Sequence, residues 1–454
     1  MFRRNILFLA GALAAFGLMC TPPVQAQQQK ISFIRDAEVE RTIRAYAAPV
    51  LTAAGLDPDA IRVHLVNDRS LNAFVANGLN MFINTGLLIR SEHAGQVIGV
   101  MAHETGHIAG GHLARLREGL ANATTESILA MVLGAAAAVA SGNPEAGAAV
   151  MMGGSHVAER GLLAYTRDME RQADQAAINL LERSRMSPRG LMEFMEILAD
   201  QELLAVGRQD PYVRTHPVSQ DRVEFLRDAL TKVKHANASL PSKFDEMHRR
   251  MRAKLIGYLD PTRALQVYKE EDDSLESRYA RAIAFSRRPD YPKALALMDT
   301  LIAERPNDPY FQEAKAQMLF ESGRPAEALP LYEKALLLQP DEPLLRIELA
   351  RVQIELGAPD QIRAAIKNLE AARLQEPAGA EVWRLLAVAY GRDGQLGMAS
   401  LAQAERALVQ HRRAEARSFA ERAERQFDRG TPPWLRAQDI KRAAERLKDE
   451  PRSR

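Results

Sequence analysis

The chain has 454 residues, more than one hydrophobic core ordinarily serves, so two or more domains are expected. Hydrophobic residues make up 46% and aromatics only 6%, an Ala- and Leu-rich balance that favours helices. Net charge is +2, and without Arg3 and Arg4 the chain carries 58 basic and 58 acidic residues, a balance that does not call for nucleic acid as a partner.

Residues 1–26 have the form of a secretory signal. Arg3 and Arg4 give the positive end, Ile6 to Met19 the apolar stretch, and Val24-Gln25-Ala26 a small-residue cleavage site. The apolar run is short for a membrane span. Lipid attachment at Cys20 is the rival to cleavage after Ala26, and the bulky Met19 before it suits that poorly. Cys20 is the one cysteine, so its removal excludes disulfides and a thiol nucleophile.

Residues 31–60 read as an amphipathic helix, with Ile34, Val39, Ile43, Tyr46, Val50 and Leu51 at helical spacing. Ile61 to Asn67 alternates as a strand. Asn72 to Gly78 and Asn80 to Asn84 read as two strands around a turn at Gly78. A helix is expected from Glu92 to Arg117, and it contains His103-Glu104-Thr105-Gly106-His107. Residues four apart share a helix face, so His103 and His107 can present two imidazoles to one metal ion. Glu104 beside them can take a proton from the attacking water. Gly106 costs about 1 kcal/mol in a helix interior, which points to something packed closely against it.

A catalytic zinc needs a third protein ligand. The extended motif that ends in a third histidine fails here: Gly110 is in place, but Leu113 stands where that histidine belongs, and His112 is one residue early. A glutamate on a later helix is the other common solution. Glu170 fits it, in a helical pattern marked by Met169, Ala173, Ala177 and Leu180. Asp174, one turn on, can orient a ligand imidazole through its other ring nitrogen.

Between these helices, Ile128 to Ala140 and Ala146 to Ala158 are apolar and uncharged, and Gly142-Asn143-Pro144-Glu145 separates them. Residues 118–168 read as a helical hairpin or mobile flap near the site, with methionines able to repack over varied substrates. Peripheral contact with a membrane surface is the rival. Residues 186–235 read as helical, interrupted at Arg214 to Arg222, where Pro217 pins a turn, His216 is held extended before it and Ser219 can cap the next helix. Arg222 can reach the site from that helix.

From about residue 256 a repeat takes over. Ala294 and Ala328, Pro306 and Pro340, and Gly323 and Gly357 are each 34 apart, the tetratricopeptide period. Stacked hairpins of this kind make a curved surface that takes peptides or partner proteins.

The pattern His103-Glu104-x-x-His107 with Glu170-x-x-Ala173-Asp174 resembles the gluzincin metallopeptidases of the HtpX and CAAX-prenyl-protease type. With a signal peptide and a tetratricopeptide tail, the chain is most similar to periplasmic members from Gram-negative bacteria. The resemblance implies a mainly α protein: an α+β zincin-type metallopeptidase domain with a small sheet over 27–250, then an α-solenoid of tetratricopeptide repeats over 256–450. It implies one Zn²⁺ per subunit, held by His103, His107 and Glu170, with Glu104 as general base and Asp174 in support. Family members carry a Ser/Thr-His-Pro segment near the metal, and two roles stand open for His216: stabilising the oxyanion, or occupying the open zinc position and shutting the enzyme off. In proteases of this kind a strand edge beside the zinc helix pairs with extended substrate, and Asn72, Ala73, Phe74 and Val75 are the candidate edge. The implied substrates are unfolded or stalled outer-membrane proteins. The implied partner is the outer-membrane beta-barrel assembly machinery, reached through the repeats, and the implied place is the periplasm, with possible association with the outer membrane. The alternative is a chaperone or adaptor acting mainly through the repeats, with the protease mostly closed. A third option is trimming of short peptides.

Overall fold

The computed structural model describes residues 32–76, 79–112, 115, 167–202, 216, 220–377 and 379–446. The expected signal at 1–26 with Cys20, the turn at Gly78, all but the last two residues of the flap or membrane contact at 118–168, and Pro217 and Ser219 lie outside the described residues.

Four strands make one sheet: β1 (Phe33–Ile34), β2 (Arg62–Val66), β3 (Ala73–Ala76) and β4 (Asn80–Asn84). Their order is β1-β2-β4-β3. β2 and β4 run parallel, and the other pairs are antiparallel. Alternation sends Leu65, Ala73, Met81 and Ile83 into the core. Two helices pack on that side, α1 (Ala37–Ala53) and α3 (Ala94–Ala109), and a short α2 (Thr85–Arg90) leads from β4 to α3.

Three boundaries differ from the sequence expectation. The helix expected over 31–60 is replaced at its start by β1. The chain turns where the Asp36 side chain accepts from the Val39 N–H at 2.9 Å, the cap that starts α1. The helix expected from Glu92 to Arg117 is broken after Ala109, because Gly110 caps it and Gly111 takes φ +62°, a left-handed conformation. The expected strand at Asn72 begins one residue later, at Ala73.

Four helices complete this part: α4 (residues 167–183), α5 (Arg189–Glu202), α6 (Gln220–Lys232) and α7 (Ser242–Leu259). α7 runs across the expected 250–256 boundary and packs on both α1 and the first repeat. After a short α8 (Pro261–Val267), helix pairs follow: α9 (Leu275–Arg287) with α10 (Tyr291–Glu304), α11 (Pro309–Glu321) with α12 (Pro325–Leu338), and α13 (Pro343–Leu356) with α14 (Pro359–Gln375). Their first residues are 34 apart, as the repeat period predicts. Two more pairs end the array: α15 (Ala380–Arg392) with α16 (Leu396–Val409), and α17 (Arg413–Glu424) with α18 (Pro432–Arg446). No described helix is long and apolar enough to cross a membrane.

The repeats are fastened to α1 by buried charge. Glu38 sits 2.8 Å from Arg250 on α7, 3.4 Å from Lys254, and accepts from the Tyr279 hydroxyl at 2.8 Å. Arg250 also pairs with Asp308 and lies 4.4 Å over the Phe311 ring, while Lys254 pairs with Asp36 at 2.8 Å. Further out, Arg35 reaches Glu376 at 2.7 Å and Arg44 reaches Glu342 at 3.1 Å. A cavity of about 330 Å³ lies among α1, α7 and α11 to α15, with Glu313 in its wall.

Removing one member of such a cluster strands the others without solvent. Glu38→Ala is expected to cost about 3–5 kcal/mol by denaturant unfolding, and no change would mean that Asp36 and Asp308 suffice. Burial pushes Glu313 up to about 8 from its ordinary 4.5, although Lys254 pulls it down. The stability of the protonated form is full below 4.5 and is lost as pH rises through 8. Glu313→Gln should therefore melt above the parent at about pH 9 and match it at about pH 4.

Candidate metal centre

α3 is buried on almost every side, with Val97, Ile98, Val100 and Met101 in the core and His103 and Glu104 fully enclosed. Such a helix needs room for its neighbours' backbones. At Gly106 a Cβ would come within 2.9 Å of the Ala173 carbonyl oxygen and 3.1 Å of its Cα. α3 and α4 thus touch backbone to backbone, and Glu170, about one turn before Ala173, and Asp174, next to it, meet the imidazoles of α3.

The helical spacing sets the Nε2 atoms of His103 and His107 3.1 Å apart. Glu170 Oε2 is 3.3 Å from His103 Nε2, and Glu170 Oε1 is 3.4 Å from His107 Nε2. Ligand atoms bound tetrahedrally to one zinc at about 2.0–2.1 Å stand about 3.3–3.4 Å from each other. The three donors thus have the spacing that one ion requires. His216 joins them, its Nδ1 3.0 Å from Glu170 Oε1, and a donor atom from each of the four residues lies within 4.8 Å of the others. Charge agrees with this: Glu104, Glu170 and Asp174 are three buried carboxylates facing one buried guanidinium, Arg222, so a divalent cation balances the site.

The outer faces of the imidazoles are held as well. His103 Nδ1 is 2.9 Å from Asp174 Oδ1. Arg222 grips Asp174 with two bonds, Nε donating at 2.7 Å and a terminal nitrogen at 2.9 Å, and its other terminal nitrogen is 3.0 Å from Glu170 Oε2. One arginine on α6 therefore positions both acids of α4. His107 Nδ1 lies 2.9 Å from His112 Nδ1. In the sequence His112 comes one residue too early for the extended three-histidine motif. The break at Gly110 and Gly111 brings its ring back over the site.

Glu104 stands apart from this network. Neither of its oxygens has a hydrogen-bond partner of good geometry among the described residues. Burial pushes its carboxyl up, against the pull of His216, His103 and the Val75 backbone N–H. A carboxylate so placed is suited to accept a proton from a small molecule beside it. Glu170 and Asp174 shift the other way: burial, which would raise them, is outweighed at Glu170 by His216 and His103, and at Asp174 by Arg222. For His103, burial is outweighed by Asp174 and Glu170, which push it up to about 9, whereas burial and the His103 charge hold His107 well below the ordinary imidazole value. His216 Nε2 is 3.7 Å from Glu104 Oε1. The candidate edge, β3, ends the sheet alongside α3.

The helix contact at Gly106 can be separated from helix propensity. Gly106→Ala gains about 1 kcal/mol of propensity but overpacks against backbone at about 1–3 kcal/mol, so a net loss is expected in thermal unfolding. Gly391→Ala, in α15 with nothing near its added Cβ, is expected to gain up to about 1 kcal/mol instead. Equal behaviour of the two variants would mean that α3 and α4 yield freely.

Comparison with known proteins agrees with this geometry. Residues 34–230 match the model of peptidase family M48. Residues 279–343 and 319–387 match tetratricopeptide-repeat models. The "Beta-barrel assembly-enhancing protease" of Yersinia pestis is 28% identical over 354 residues, covering 75% of this chain and 70% of that one. The protein of the same name from Escherichia coli (strain K12) is 24% identical, covering 72% and 67%. The "Metalloprotease YcaL" of Escherichia coli (strain K12) is 29% identical over 38% of this chain and 63% of its own. A buried cluster able to hold a metal lies inside the M48 match, and three helix pairs of the second half, α9 to α14, lie almost wholly inside the repeat matches: the chain is a homologue of the beta-barrel assembly-enhancing proteases, with a peptidase family M48 metalloprotease domain followed by tetratricopeptide repeats.

Proposed function

We propose that the chain is a periplasmic zinc-dependent endopeptidase that degrades misfolded or stalled outer-membrane proteins and assists their assembly. The observation that carries the chemistry is the convergence of His103 Nε2, His107 Nε2 and a Glu170 carboxylate at the spacing of one tetrahedral ion, beside the buried, poorly satisfied Glu104. His103, His107 and Glu170 would hold the metal. Zn²⁺ bound there supplies Lewis-acid polarisation of the scissile carbonyl and lowers the pKa of water.

This chain's own groups do the rest. Glu104 accepts the proton of the attacking water and passes it to the leaving amine. Asp174 fixes the tautomer and orientation of His103, and Arg222 keeps Asp174 and Glu170 ionised and aimed. The edge around Asn72, Ala73, Phe74 and Val75 holds an extended substrate beside α3 by backbone pairing, which suits unfolded chains of varied sequence. Support for outer-membrane clients, for the assembly machinery as partner and for the periplasm comes from the names of the relatives and from the form of residues 1–26. The repeats would tether the protease to that machinery and raise the local concentration of clients.

For His216, the inhibitory reading has the better support. Its ring nitrogen lies among the metal-facing donors, where an open coordination position would otherwise admit water or substrate. Its movement away would then open the enzyme.

Purified protein should hold one zinc per chain and cleave an unfolded substrate such as casein. Glu104→Gln should retain the zinc and lose activity by about 10²–10⁴-fold. His216→Ala should retain zinc and cleave faster than the parent. A zinc-loaded but inactive His216→Ala would assign that residue to the oxyanion instead. A parent without zinc would sink the proposal, and assembly support in cells that survives Glu104→Gln would move the weight to an adaptor acting through the repeats.

A further inference from the structure

The sheet face turned away from the core carries a row of rings. By register Phe74 pairs with Phe82, and Phe82 with His64. Phe74 and Phe82 stack with centroids 4.9 Å apart and planes at 9°, and Phe82 and His64 stack at 4.8 Å and 21°. Phe33 leans on His64 at 6.0 Å and is 51% exposed. The row crosses the sheet in the order β1-β2-β4-β3 and stops at Phe74, on the strand that has no further neighbour among the described residues. Among those residues Phe82 is the one ring stacked on Phe74.

The backbone at this edge has a defined polarity. The Asn72 carbonyl accepts from the Asn84 N–H on β4. Backbone groups alternate in direction along a strand, so Asn72 and Phe74 turn theirs toward β4, and Ala73 and Val75 turn theirs to the open side. A strand added antiparallel would bond to Ala73 and Val75. It would then place one residue opposite Phe74 at a non-hydrogen-bonded position, where side chains stand closest, with Cα atoms about 4.5 Å apart. By the same alternation that side chain falls on the outer face, against the Phe74 ring.

We propose that Phe74 is a specificity-determining residue: it selects extended substrates with an aromatic side chain at the residue paired with it, which adds a fifth ring to the row. The proposal rests on the endopeptidase reading and on edge pairing. β3 packs against α3, the helix that carries Glu104, so this subsite lies beside the reacting bond. The chemistry suits the proposed clients, because strands of outer-membrane barrels carry aromatic residues in the girdles at both membrane interfaces.

The test is a set of quenched-fluorescence peptides in which a single Phe or Ala is moved along an otherwise constant sequence. The zinc-loaded protein should prefer Phe over Ala about three- to tenfold in kcat/KM at one position next to the cleaved bond. Phe74→Tyr should keep that ratio. Phe74→Leu, which keeps most of the volume and loses the ring, should bring it close to one, with circular dichroism showing the fold retained. A flat profile in the parent, or a preference that survives Phe74→Leu, overturns the proposal and leaves the endopeptidase reading intact. The same peptides are also titrated by fluorescence anisotropy against Glu104→Gln and Glu104→Gln/Phe74→Leu. If the parent cleaves none of them, the endopeptidase reading fails, and the role of Phe74 is decided by binding alone. An aromatic preference lost with the ring supports it, and equal binding of Phe and Ala peptides overturns it.

Discussion

The contact on which the rest of the centre depends is the backbone approach of α3 and α4 at Gly106 and Ala173. Two helices kept apart by side chains at that crossing would hold Glu170 and Asp174 too far from the imidazoles to touch them. With glycine at 106, a carboxylate with one methylene more than aspartate reaches the inner nitrogens, and the shorter aspartate reaches the outer one. The residue that costs helix propensity is the one that permits the chemistry. Arg222 then answers the electrostatic problem that this proximity creates, since two buried carboxylates in adjacent turns repel each other unless a cation bridges them.

What could be read from the sequence divides along one physical line. His103, Glu104 and His107 were readable because one helix turn fixes their relation, and Glu170 and Asp174 because a second helix repeats that logic. The repeats were readable because a 34-residue period is a property of the chain itself. The contribution of His112 was not, because it depends on a helix break that a Gly-Gly pair permits and does not compel. Glu38 and Glu40 stand in the acidic first turn of α1, yet both are buried: Glu40 pairs with Arg35 just before the helix, whereas Glu38 pairs with Arg250 of α7, a distant residue that no local pattern brings near it. β1 was hidden because two residues are too few to show a period of two.

The fastening of repeats to α1 is charged where an apolar seam would do, and that choice has a consequence. Buried ion pairs contribute little net stability, because desolvation offsets the attraction, but a mispaired arrangement is costly. Arg250, Lys254 and Tyr279 all converge on Glu38, so the first turn of α1 docks in one register. α1 also packs against α3 and, through the Tyr46 hydroxyl bonded to the Phe244 carbonyl at 3.0 Å, against α7. The repeats and the metal-facing helix are therefore joined through two shared helices, without a flexible linker among the described residues. A load placed on the repeats would reach α3 through packed elements.

The same geometry constrains how a closed centre could open. On the reading in which His216 takes the fourth position, that ring and a substrate carbonyl compete for one place. A ligand can shift such an equilibrium only by the difference in its affinity for the two states. If a substrate pairs with the edge equally well with His216 in place or withdrawn, pairing by itself shifts nothing. Only contacts made after the ring leaves can favour the open state, and these are the ones at the reacting bond, with Glu104 and the metal-facing donors. A chain that pairs with the edge but cannot seat a peptide bond there would be held uncut. One centre could thus retain some extended chains and cleave others, the difference lying in whether a bond reaches the position that His216 guards.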